Sequence, residues 1–300
     1  SPNSTIINSK GIALGANNGI YLSSSPNSTL INATGISPST GNGIQLTNSN
    51  NSIIINSTGT SGTTGIGIFI TSSNNSIIIN SNGTSLTSGY GIYLASSPNS
   101  TIINSNGTSG TTGSGIYLDS SPNSTIINSN GTSLTSGSGI WFSSCPNSTI
   151  INSNGTSGSY MGIFLASSPN STIINSKGNS SSAGYGIYLS SSPNVTITNS
   201  TVINMGTGYG IFLTSSPNTM FINCRNSPDA TNATQRFYSD TVQNTSSYGN
   251  TGWWPLPTAT TAGSLAQTAW YNGTFGGRDY LNVANGSLRY WYNNLALLAV

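Results

Sequence analysis

An asparagine returns every 24 residues along most of this chain. It stands at Asn3, Asn27, Asn51, Asn75, Asn99, Asn123, Asn147, Asn170, Asn194 and Asn218, with a single interval of 23. A second asparagine follows five residues after each, at Asn8, Asn32, Asn56, Asn80, Asn104, Asn128, Asn152, Asn175, Asn199 and Asn223. A unit this short cannot enclose a core alone, so successive units must stack and bury each other's apolar sides. The repeat predicts a solenoid over residues 1–224, and its loss afterwards sets 225–300 apart.

The unit from Pro98 to Ser121 shows what one coil must do. Ser97-Pro98-Asn99 is a turn, because proline fixes φ and asparagine tolerates the left-handed region. Thr101-Ile102-Ile103-Asn104 and Gly115-Ile116-Tyr117-Leu118 are short strands, and the Gly/Ser/Thr-rich stretch between them holds turns with room for a brief third strand. Such Gly and Pro density leaves no 3.6-residue apolar period, so helices are excluded. The fold class is all-β, a parallel β-helix of about ten coils.

Exceptions to the repeat suggest which side chains face inward. In Val195-Thr196-Ile197-Thr198-Asn199 the apolar members share parity with the asparagine. This parity places Ile102, Ile126, Ile150, Ile173 and Ile197 inside, and the second asparagine row with them as a buried amide ladder. Ile116 and Leu118 point inward from the other strand. Three aliphatic chains per coil contribute about 1.5–3 kcal/mol each. The opposite parity leaves an isoleucine row outside (Ile7, Ile31, Ile55, Ile79, Ile103, Ile127, Ile151, Ile174 and Ile222) and an aromatic row. The latter comprises Tyr21, Phe69, Tyr93, Tyr117, Trp141, Phe164, Tyr188 and Phe212, and Gln45 interrupts it. These rings either stack on one another as ordinary β-formers or make a lateral contact surface for a partner.

Charge is nearly absent. The chain carries 6 Lys+Arg, 4 Asp+Glu and no histidine. Only Lys10, Asp119 and Lys177 are charged within the repeats. No basic patch exists for nucleic acid, and no apolar run is long enough for a transmembrane segment. A protein of such low charge needs another source of solubility, or it exists to associate. The sequence contains 21 Asn-x-Ser/Thr sequons. Candidate acceptors for covalent N-glycans are Asn3, Asn27, Asn82, Asn99, Asn106, Asn123, Asn130, Asn147, Asn154, Asn170, Asn194, Asn232, Asn244, Asn272 and Asn285. Sequons at Asn32, Asn56 and Asn199 belong to the row placed inside. Cys145 and Cys224 are more than three coils apart and read as small buried fillers rather than a disulfide.

The two ends invite contacts. Ser1 falls inside a repeat, so the start reads as processed or trimmed. The first unit is either an uncapped edge open to another copy or the remainder left by a missing cap. Residues 225–300 hold four of the five tryptophans and read as a β-rich region with Asn-Gly turns at Asn272-Gly273 and Asn285-Gly286. It either caps the solenoid or bridges subunits. The apolar tail Leu295–Val300 is tucked into its own chain or donated to a neighbour.

A consensus of the repeat, SSPNSTIINSNGTSLTSGYGIYLASS, resembles the right-handed parallel β-helix repeat of pectate-lyase-like and NosD-like proteins, which also recurs in surface proteins of methanogenic archaea. The resemblance implies a right-handed solenoid over 1–224. Enzymes of that group rely on clustered acids for calcium, on a basic residue for proton abstraction, or on grouped aspartates. This chain shows no such cluster, no metal-ligand set and no Ser-His pair. The residues therefore predict no catalytic, metal or cofactor site and a chain that is not an enzyme. The expected role is a glycosylated extracellular structural protein that self-assembles, head to tail or laterally, into a filament, sheath or layer. The alternatives are a polysaccharide-binding adhesin that uses the aromatic row and, more remotely, an ice-binding face built on the outward threonines.

Overall fold

The computed structural model describes residues 1–228 and the later strands Phe237–Ser239, Asn244–Tyr248, Thr251–Pro255, Trp270–Thr274, Arg278–Asn282, Tyr290–Tyr292 and Leu295–Leu297; side chains are described through residue 226. The short strands of the repeat stack into three parallel sheets. Thr101–Ile103 represents sheet A, Asn106–Ser109 sheet B and Ile116–Asp119 sheet C. Each strand pairs with its equivalent one coil away, in strict register: Ile102 with Ile126, Gly107 with Gly131, Tyr117 with Trp141. The stretch with room for a third strand thus forms one in every coil. The 23-residue interval leaves the strands untouched, because Asn154 still pairs with Asn130 and Ile163 with Ile140. The missing residue comes out of the loop between sheets B and C.

Three aliphatic side chains per coil fill the interior, as the alternation predicts. Ile102, Ile116 and Leu118 are buried, and their equivalents form one continuous column. A further inward position, on sheet B, is glycine from Gly11 to Gly178 and then Val202 and Asn226. A Cβ on Gly107 would lie 2.1 Å from the carbonyl oxygen of Gly115, so sheets B and C meet there backbone to backbone. In the glycine coils that contact leaves no room for a side chain, and the cross-section is thin there.

The second asparagine row is not inside. Asn8, Asn32, Asn56, Asn80, Asn104, Asn128, Asn152, Asn175, Asn199 and Asn223 are all exposed, each with φ near +50°. They form the corner between sheets A and B. A left-handed residue turns the chain, so the in-out alternation of the preceding strand stops there. Asparagine suits the corner because it tolerates this conformation better than most residues.

The residue after each corner points inward instead, and it is a serine in most coils. Ser105, Ser129 and Ser153 are buried. Ser129 Oγ accepts a hydrogen bond from the Ser105 N–H at 3.1 Å and donates one to the Ile127 carbonyl at 2.7 Å. Two similar rows flank the turn before sheet A: Ser97 N–H donates to Ser121 Oγ at 2.9 Å, and Ser100 N–H to Ser124 Oγ at 3.1 Å. The backbone N–H groups that corners withhold from the sheets thus find acceptors on the next coil. Serine hydroxyls do the work expected of an asparagine ladder.

Parallel pairing continues past the last full repeat. Phe237–Ser239 pairs with sheet C, Asn244–Tyr248 with sheet A and Thr251–Pro255 with sheet B. The next pairings are antiparallel, including Gly252 with Gly273 and Trp253 with Asn272. Asn272-Gly273 therefore lies within a strand rather than at the expected turn; ladder pairing overrides its local turn preference. Asn285-Gly286 lies outside the described residues. In the apolar tail, Leu295–Leu297 pairs with Tyr290–Tyr292.

Candidate interaction surface

Three long outer faces are what the solenoid offers to other molecules. Sheet A presents Thr101 and Ile103 and their equivalents; sheet B presents Asn106 and Thr108; sheet C presents Tyr117 and Asp119. The outward isoleucines from Ile31 to Ile222 are half-buried by their neighbours, whereas Ile7 is exposed. Rows of like side chains one coil apart, at about 4.8 Å, shield one another.

The sequon asparagines lie on the surface in two lines. Asn3, Asn27, Asn99, Asn123, Asn147, Asn170 and Asn194 occupy exposed turns before sheet A. Asn82, Asn106 and Asn130 are exposed on sheet B, and Asn154 is half-buried there. Asn232 and Asn285 lie outside the described residues; Asn244 and Asn272 lie in strands whose side chains are not described. The corner sequons Asn32, Asn56 and Asn199, assigned to the interior from parity, are exposed as well. Amide ladders do exist, but outside: Asn106 Nδ2 donates to Asn82 Oδ1 at 3.0 Å, and Asn194 Nδ2 to Asn170 Oδ1 at 3.1 Å.

The aromatic row is a column of stacked rings. From Phe69 through Tyr93, Tyr117, Trp141 and Phe164 to Tyr188, successive centroids lie 4.5–5.4 Å apart with interplanar angles of 27° or less. Tyr188 and Phe212 then meet edge-on at 5.1 Å. Tyr21 stands apart because Gln45 intervenes, held by Asn18 and Asn42. Tyr90 and Tyr185 tilt against the column from the preceding loop. Each interior ring covers the faces of its neighbours, and Tyr117 and Phe164 are buried. Ring edges, rather than ring faces, meet the solvent, so a sugar stacking flat on Tyr117 or Trp141 finds its platform occupied.

Asp119 shares the outer side of sheet C with this column, between Ala95 and Ser143. Burial, reinforced by the Asp119 charge, pushes the Tyr90 phenol up and that of Tyr93 up to about 12. Burial raises Tyr117 further, against the opposing hydrogen bond with Ser143. All three phenols stay neutral near pH 7. Lys10 and Lys177 sit in sheet B strands, away from Asp119. Among the described residues, no three His, Cys, Asp or Glu side chains converge into a metal-binding group, and no helix is long and apolar enough to cross a membrane.

The cysteines take serine positions inside. Cys145 Sγ accepts the Ser121 N–H at 3.4 Å and donates to the Ser143 carbonyl at 3.2 Å; Cys224 Sγ donates to the Ile222 carbonyl at 3.3 Å. Burial pushes the Cys145 thiol up to about 12 and Cys224 up to about 11, so neither supplies a thiolate nucleophile at neutral pH.

The model of the family described as a right handed beta helix region matches residues 90–251, more than half of the chain. The chain belongs to that family. No curated protein matches it significantly. Among solved structures it is similar to the catalytic unit of a thermostable GH87 alpha-1,3-glucanase from Streptomyces thermodiastaticus strain HF3-3, at 15% identity and a TM-score of 0.36. The match covers 84% of this chain and 66% of the glucanase chain. This finding corrects the expectation that the chain is not an enzyme. That expectation rested on an inventory of side chains, and such an absence does not exclude catalysis. So distant a likeness assigns no reaction here, and Asp229 and Asp240 lie outside the described residues.

Proposed function

We propose that this member of the right-handed β-helix family is an extracellular structural protein that associates with copies of itself through its lateral surface. One observation carries the reading. The described coils present continuous rows of uncharged side chains, interrupted by charge only at Lys10, Asp119, Lys177 and Arg225. A surface without like-charge repulsion, repeated along a rigid rod, favours side-by-side contact over dispersion. The exposed turn and corner asparagines are the acceptors for N-linked glycans, which keep the remaining surface hydrated. A filament, sheath or layer is the assembly such a rod suits.

Light scattering and electron microscopy of the purified full-length chain test this. The expected outcome is a mass that rises with protein concentration, together with elongated or sheet-like particles. A monomer at every concentration would overturn the reading. Contact with a polysaccharide is the second reading. With the ring faces covered, it would rest on ring edges, Asp119 and the asparagine rows.

A further inference from the structure

From the second coil to the seventh, the loop between sheets B and C opens with Pro38, Gly62, Leu86, Gly110, Leu134 and Gly158; Leu14 stands there before them, and Ser181 and Met205 after. These six occupy one position. Leu86 N–H donates to Ser61 O, Gly110 N–H to Ser85 O, Leu134 N–H to Ser109 O and Gly158 N–H to Ser133 O, all at 2.9–3.0 Å. Across these six coils a projecting residue and a glycine therefore alternate, so the relief there repeats every two coils although the fold repeats every one.

The projections lack cover. Leu86 is 60% exposed and Leu134 61%, whereas the core leucines Leu94 and Leu118 are fully buried. Pro38 is exposed as well. The glycines cannot be replaced without cost. A Cβ on Gly62 would lie 2.1 Å from Pro38 O, on Gly110 2.1 Å from Leu86 O, and on Gly158 2.3 Å from Leu134 O. Each notch is fixed by the backbone of the coil beside it. The residues that follow in the loop, Thr63, Thr87, Thr111, Thr135 and Ser159, are exposed and uncharged.

We propose that this edge is a knob-into-notch interface with a second copy of the chain, turned end for end about a two-fold axis between Leu86 and Gly110. Knobs and notches share one spacing, two coils or roughly 10 Å. The edge is therefore complementary to itself when reversed by an odd number of coils. With the axis placed there, Leu86 of each copy faces Gly110 of the other, Leu134 faces Gly62, and Pro38 faces Gly158. These three projections gain a notch, Leu14 faces Ser181, and the contact closes as an isologous pair. The partner is a copy rather than another protein because the two-coil spacing of the notches is written into this chain itself.

The inference rests on the self-association proposed above, and the test separates the two. The full-length chain is compared with the double variant Leu86→Ser/Leu134→Ser by sedimentation velocity over a concentration series. Circular dichroism confirms that both are folded, as expected for changes at exposed positions. The pair should weaken by at least about tenfold in the variant. A second variant, Thr63→Cys/Leu134→Cys, should form a covalent dimer on mild oxidation, while Leu134→Cys alone should not; within one copy these sites are three coils apart, too far to bridge. If the wild type associates but the serine variant associates equally, or the double cysteine variant gives no covalent dimer, the knob-into-notch pair is wrong and self-association stands. If the wild type is monomeric throughout, both are wrong.

Discussion

Asn104 and Ser105 are adjacent in sequence and opposite in fate. The asparagine is exposed at a corner with φ of 49°, and the serine is buried in a hydrogen-bonded file. The pair recurs in most coils, and its division of labour separates what holds the molecule together from what it shows. The inner file takes up backbone N–H groups that would otherwise be unpaired. The outer row turns the chain and leaves an amide at the surface. Stability thus resides in aliphatic side chains and small hydroxyls, and the outer rows are left for contact.

The largest test of this division uses neighbours on sheet A. Ile126→Ala removes a fully buried side chain and should destabilise the solenoid by about 2–5 kcal/mol. Ile127→Ala on the half-buried outer row should cost about 1 kcal/mol or less. Urea titration followed by circular dichroism measures both, and equal effects would mean that the faces are not distinct.

Next comes the inner hydroxyl file. Ser129→Ala deprives the Ser105 N–H of its acceptor and should cost about 1–3 kcal/mol. The corresponding change at the corner, Asn128→Ala, loses no inward bond but places a Cβ-bearing residue with lower tolerance in the left-handed region, at about 1 kcal/mol. Asn128→Gly should recover that loss. A corner asparagine whose replacement by glycine costs more than the serine change would reverse the assignment.

Alkaline pH probes the same interior more gently. The folded state holds the Cys145 proton up to about 12 against an ordinary 9.0, and the Tyr93 proton up to about 12 against 10.0. Above pH 9 the unfolded chain therefore binds fewer protons than the folded one. The sign is fixed: this contribution to stability is complete below pH 9 and is lost as pH rises towards 12. Melting temperature against pH should fall across that window, and Cys145→Ser should make the fall shallower. An unchanged slope in that variant would place the thiol outside the core.

The division also marks how far letters alone reach. The repeat interval and the strand alternation were legible, because Thr198 and Gln45 break outward rows where a polar residue is tolerated. Alternation failed at the corner, since a left-handed residue interrupts the parity on which it depends. The serine files did carry a signal. Ala33, Cys145 and Cys224 replace serine there, and small, weakly polar substitutes mark an inward position. Covered ring faces were not legible, because stacking and exposure give the same sequence pattern. The alternation of Leu86, Gly110, Leu134 and Gly158 stands in the sequence too, but only their exposure and backbone contacts give it meaning.

Thiol labelling at the corner tests the inside-outside division most directly. Asn128→Cys and Ser129→Cys differ by one position, and Cys145 shows that a serine file accepts a thiol. Under native conditions the cysteine at 128 should react with a maleimide at the rate of an exposed thiol. The cysteine at 129 should stay silent, as Cys145 and Cys224 should, until denaturant is added. Rapid labelling at 129 with protection at 128 would contradict the account.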